Sequence, residues 1–134
     1  MFEHVWEERT CSWIVAPPDR IPASGDLESA ELIFVWGFLM DPRFIKKLLG
    51  GVIPFAPAFI RGYRRETFVE GGERGFRLIP EENGVVSGVV LIGPTAQEKD
   101  GLDRFEGVPE VMVKRTVEAH IGDLTRGAGI YMKA

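Results

Sequence analysis

Leu32-Ile33-Phe34-Val35-Trp36 is the segment that most limits how this chain can fold. The run is continuously apolar, rich in strand formers and short enough to be a buried strand, so a sheet and something to cover it must be built around it. Gly37 ends the run. Asp41-Pro42 then offers a helix N-cap followed by proline at the first helical position. Phe44, Ile45, Leu48 and Leu49 recur at helical spacing as far as Gly50-Gly51. A short helix therefore follows the first strand.

Beyond it the pattern turns to strands. Pro54 to Arg61, Glu66 to Glu70 and Phe76 to Ile79 read as three β stretches, separated by Gly62-Tyr63 and by Gly71-Gly72-Glu73-Arg74-Gly75. Glu81-Glu82-Asn83-Gly84 reads as a turn into Val85 to Ile92, the most strand-like run present. Thr95, with Glu98 three residues on, forms a capping-box pattern for a second helix that Gly107 and Pro109 terminate. Val111 to Ile121 alternates into a long strand, and Ala128 to Met132 supplies a short last one. About six or seven strands, two short helices and no repeated βαβ unit predict an α+β fold: a small, partly closed antiparallel β-barrel. Residues 1–30 differ in character, with Pro17-Pro18, Pro22 and Gly25 after a segment that mixes Trp6, Trp13 and Ile14 with charges. They read as an N-terminal arm on a barrel domain of residues 31–134, with the tryptophans docked on that domain or on a partner.

Composition then removes whole classes of function. A chain of 134 residues, 45% apolar and 27% charged, is expected to be one ordered domain. Sixteen Lys plus Arg against twenty Asp plus Glu leave a net charge of −4, which argues against nucleic acid as a partner. The longest apolar candidate, Leu32 to Met40, is broken by Gly37 and falls short of the roughly 20 residues that cross a bilayer, so no membrane is expected. Glu3, Glu7 and Glu8 stand where a secretory leader would carry lysines, and Cys11 has no second cysteine to pair with. Both point to a reducing, cytoplasmic setting. His4 and His120 lie far apart, which leaves a zinc site almost without ligands.

Two segments could carry chemistry. Around Trp36-Gly37-Phe38-Leu39, a glycine at a strand end beside a helix start lets backbone N–H groups face an anion, although such glycines also serve purely conformational ends. Glu106 follows Leu102 by four residues and so shares its face, which carries a carboxyl toward the core at the negative end of a helix. Desolvation and the dipole are both expected to raise its pKa, as suits a proton shuttle; a glutamate before a C-terminal glycine is usually a solvated last-turn residue. Arg61, Arg64 and Arg65 around Tyr63 could bind an anion but read as a solvated edge, and His120 reads as structural.

In this order the segments resemble the gamma-glutamylcyclotransferase-like family, which includes avirulence-induced-protein-like and gamma-glutamylamine cyclotransferase branches. The resemblance covers about Leu32 to Met132. It rests on Phe34-Val35-Trp36-Gly37-Phe38-Leu39 for the family's Tyr-Gly-Ser/Thr-Leu, on Arg61-Gly62-Tyr63-Arg64, and on the complete Leu102-Asp103-Arg104-Phe105-Glu106-Gly107-Val108. Val113-Lys114-Arg115-Thr116-Val117 and the closing Ala128-Gly129-Ile130-Tyr131 complete it. The resemblance implies a small barrel whose mouth holds a gamma-glutamyl amine or amino acid and releases 5-oxoproline, with Glu106 as general acid and base. It implies Trp36, Gly37, Phe38, Leu39, Gly107 and Tyr131 as substrate-binding residues, and neither a metal nor an organic cofactor. Trp36, Phe38 and Met112 depart from the family's Tyr, hydroxyl residue and Tyr, and make the site more apolar. Two other classes stay open: a small-ligand-binding or regulatory domain without turnover, and an interaction module that uses the Trp-bearing arm. A homo-oligomer is open as well.

Overall fold

The computed structural model describes residues 3–7, 12–16, 26–51 and 53–133. β1 (Glu3–Glu7) and β2 (Ser12–Ala16) pair antiparallel as a separate two-stranded sheet. The expected docking of the Trp6 and Trp13 side chains, and residues 17–25, lie outside the described residues. Next come α1 (Asp26–Ser29), β3 (Leu32–Val35), a 3-10 turn (Phe38–Met40) and α2 (Pro42–Leu49). β4 (Phe55–Glu70), β5 (Glu73–Ile92), α3 (Ala96–Glu106), β6 (Met112–Ile121) and β7 (Leu124–Lys133) complete the order.

The five strands from β3 onward close into a barrel in the order β3-β5-β4-β6-β7. The expected α+β barrel holds as a class and differs in detail: the barrel is fully closed, has five strands, and is not antiparallel throughout. A ring with an odd number of strands cannot alternate direction all the way round, so two neighbours must run parallel. These are β3 and β7, with Ile33 opposite Gly129 and Phe34 opposite Ile130.

The three expected stretches between Pro54 and Ile79 are parts of one long hairpin. Gly62, at φ +89°, does not end β4; the pairing shifts there from Arg61 with Val85 to Tyr63 with Pro80, and Glu81 to Gly84 take up the extra residues as a bulge. Beyond the bulge the two strands pair only with each other among the described residues.

β3 is buried on both faces, which is why its sequence does not alternate. Leu32, Phe34 and Trp36 point into the barrel with Val90, Ile121 and Ile130, while Ile33 and Val35 pack outside it against Ile45 of α2 and Leu102 of α3. Leu27 of α1 is fully buried in the interior cluster, and Arg126 of β7 donates to the carbonyl oxygens of Leu27 and, at 2.9 Å, of Ala30. α2 and α3 start as their sequences indicate. Asp41 accepts from the Arg43 amide at 2.9 Å, and Thr95 and Glu98 form a reciprocal capping box at 3.1 and 2.9 Å.

Candidate active site

Because β3 and β7 run parallel, their C-terminal ends meet at one rim of the barrel. There the indole Nε1 of Trp36 donates to the carbonyl oxygen of Tyr131 at 3.3 Å. β6 starts at the same rim, with Met112 opposite Lys133, so the short link from α3 brings the end of that helix to it. After Trp36 the chain enters the 3-10 turn, in which Met40 N–H donates to the Gly37 carbonyl at 3.1 Å. The leading N–H groups of such a turn have no acceptor within it.

These elements line an open-sided cavity of about 310 Å3. Trp36, Gly37, Phe38, Leu39, Glu106 and Tyr131 all line it, so the structure brings together every residue marked in the sequence except one. Gly107 lies outside the lining. It caps α3 in the left-handed region at φ +74°, and a Cβ there would stand 3.0 Å from the Val111 side chain, so it shapes the helix end behind Glu106.

Burial pushes the Glu106 carboxyl above the ordinary carboxylate range. One helical turn earlier Asp103 behaves oppositely. Partial burial is the largest single influence and would raise it. The Tyr131 hydroxyl, which donates to Oδ1 at 2.6 Å, and the Lys114 ammonium at 3.0 Å outweigh that and hold it below the usual value. The Tyr131 phenol is in turn driven up by burial, by that hydrogen bond, and by the charges of Asp103 and Glu106. Sequence reasoning gave Asp103 and Lys114 no role. Asp103 had a signal, since it stands three residues before Glu106 in the most specific motif. Phe68, Gly75 and Phe76 of the long hairpin also line the cavity and had none, because no local pattern says where a hairpin tip folds. Among the described residues no group of three or more His, Cys, Asp or Glu could hold a metal ion, and no helix is long and apolar enough to cross a membrane.

A second cavity, of about 470 Å3, adjoins the first across Phe38, a residue 54% exposed whose ring makes a T-shaped contact with Phe76 at 5.5 Å. Met40, Phe44 and Arg65 are among its walls. Arg65 does not belong to a solvated edge, in contrast to the sequence reading. Its Nη2 donates to the Ser87 carbonyl at 2.5 Å, its Nε is buried without an acceptor, and burial pulls its pKa down. Arg61 and Arg64 do face solvent, and Arg64 pairs with Glu66 at 3.3 Å and Glu81 at 3.6 Å. His120 stacks on Phe59 at 4.7 Å, away from both cavities.

A family model described as gamma-glutamyl cyclotransferase, AIG2-like, matches residues 33–134. Protein AIG2 B of Arabidopsis thaliana is 29% identical over 100 residues, which are 75% of this chain and 57% of that protein. The chain spans about half the length of the curated relatives it matches. A solution structure from Arabidopsis thaliana is 28% identical with a TM-score of 0.67, covering 83% of this chain and 73% of the other. A solved gamma-glutamyl cyclotransferase superposes with a TM-score of 0.68 over 79% of this chain and 68% of its own; at 15% identity that likeness is one of fold.

Proposed function

The chain belongs to the gamma-glutamyl cyclotransferase, AIG2-like family, and on that premise we propose that it converts a gamma-glutamyl amine or amino acid to 5-oxoproline and a free amine or amino acid. One observation carries the reading: a carboxyl raised by burial, Glu106, lines the same cavity as the Gly37 to Leu39 turn. Ionised Glu106 takes a proton from the substrate α-ammonium. The freed amine attacks the side-chain carbonyl carbon, Glu106 returns the proton to the leaving nitrogen as the amide C–N bond breaks, and the second proton of the attacking nitrogen passes through Glu106 to the released amine, which departs as its ammonium. Atoms balance without water or an external co-reactant. The amides of Gly37, Phe38 and Leu39 face the developing oxyanion or the substrate carboxylate. Trp36 and Tyr131 hold the glutamyl chain folded, which favours an intramolecular closure. Gly107 serves by ending α3 where Glu106 meets the cavity. Trp36, Phe38 and Met112 leave few side-chain donors, which suits a substrate less polar than a simple gamma-glutamyl amino acid.

The test is to incubate the protein with a panel of gamma-glutamyl compounds and measure 5-oxoproline. Glu106→Gln keeps the side-chain volume and the turn amides but cannot shuttle a proton. It is expected to lower product formation by about 10²–10⁴-fold with ligand affinity largely retained. Undiminished turnover in that variant would remove Glu106 from the mechanism. Binding without product from any compound would make the domain a ligand-binding one.

A further inference from the structure

Arg65 is the cationic residue among the walls of the second cavity, and the proposed reaction leaves it unused. Its guanidinium is fixed by the Ser87 carbonyl and lies 3.9 Å from the Met40 sulfur, yet no carboxylate among the described residues pairs with it. Asp41 is the acidic residue on the same walls. Both of its oxygens are already taken: Oδ1 by the Arg43 amide and Nε at 2.9 and 3.2 Å, Oδ2 by Nη2 at 3.2 Å. A partly buried, unmatched guanidinium with an unsatisfied Nε is costly unless an anion completes it, and its planar fork fits a carboxylate. Around it the walls are apolar: Trp36, Phe38, Met40, Phe44 and Phe76. A ligand seated there presents a carboxylate and a hydrophobic body side by side.

We propose that the second cavity is the subsite for the group released in the reaction, and that Arg65 binds a carboxylate on that group, which selects gamma-glutamyl conjugates of apolar or aromatic α-amino acids over those of simple amines. The proposal rests on the cyclotransferase reading for the gamma-glutamyl conjugate and its released group, while the carboxylate subsite at Arg65 stands on the cavity alone. The two cavities share Trp36, Gly37, Phe38 and Phe76, so a gamma-glutamyl chain beside Glu106 has the second cavity as its neighbour for whatever is bonded to its carbonyl. Phe38 stands between them, its ring 5.5 Å from that of Phe76 and 6.3 Å from that of Phe44.

The test uses two substrates that differ only in that carboxylate, gamma-glutamylphenylalanine and gamma-glutamylphenethylamine. Wild-type protein is expected to show a KM at least tenfold lower for the first. Arg65→Gln is expected to raise that KM about tenfold or more and to leave the amine conjugate within twofold, with Arg65→Lys between, because it keeps the charge but loses the fork. Arg64→Gln, which removes an exposed and already paired charge, should change neither. Equal KM values for the two substrates in the wild type overturn the proposal without any variant having to fold. A binding measurement separates it from the reaction: calorimetry should detect N-acetylphenylalanine but not N-acetylphenethylamine, and Arg65→Gln should abolish the difference. If that difference is seen while no gamma-glutamyl compound turns over, the carboxylate subsite stands and the cyclotransferase reading falls. If both acetyl compounds bind alike, the subsite falls whatever the turnover.

Discussion

Glu106 and Asp103 occupy one helix end, a turn apart, and are displaced in opposite directions. Nothing in residue type predicts that; Glu106 meets apolar walls, whereas Asp103 meets a hydroxyl and an ammonium. The upward displacement has a checkable sign. As the proposed base Glu106 must be ionised, so activity rises with pH through a limb above the usual glutamate value of about 4.3, and a limb at or below that value would contradict its burial. For stability the direction reverses. The folded state holds the proton more tightly than the unfolded one, so this group's contribution is greatest below the unfolded pKa and declines as pH rises through the folded pKa. Glu106→Gln lacks that decline. Relative to wild type it should gain thermal stability between pH 4 and 7, and parallel melting curves across that range would show the carboxyl to be solvated. The burial of Glu106 was legible in its spacing from Leu102, which is itself fully buried. The role of Asp103 was not, because its partners come from β6 and β7 and no spacing within α3 encodes them.

Elements were legible where their ends carry their own chemistry. Asp41-Pro42, Thr95 with Glu98, and Gly107 mark α2 and α3 because caps act within a few residues of the sequence. The long hairpin reads as separate pieces in the sequence for the same reason. Gly62 and Glu81 to Gly84 look like turns locally, and only the pairing of β4 with β5 shows that they absorb one another as a bulge. Gly107 allows a direct test of an element end. Alanine there combines a left-handed backbone with a 3.0 Å approach to Val111, which itself lines the first cavity. Gly107→Ala should cost about 1–2 kcal/mol in urea denaturation and raise KM as Val111 gives way. An unchanged unfolding midpoint would mean that the helix can end without that conformation.

On the scale of the molecule, the proposed division at residue 30 meets a particular residue. Leu27 is numbered with the arm and is packed in the barrel interior, while Arg126 reaches back to the carbonyls beside it. Leu27→Ala should destabilise the protein by about 2–5 kcal/mol by chemical denaturation. A loss near zero would mean that α1 contributes nothing to the barrel. Closure of the ring has a kinetic consequence as well. The Trp36 to Tyr131 hydrogen bond at its seam joins residues 95 apart, whereas β4 with β5 and β6 with β7 are hairpins of neighbouring segments. Chain entropy favours the local pairs first and makes the distant seam slow to find. Since the walls of the first cavity come from both sides of that seam, a chain with its hairpins formed and its seam open has no pocket, and with Trp6 and Trp13 replaced by Phe the fluorescence of Trp36 during refolding should report the arrival of the site rather than the collapse of the chain.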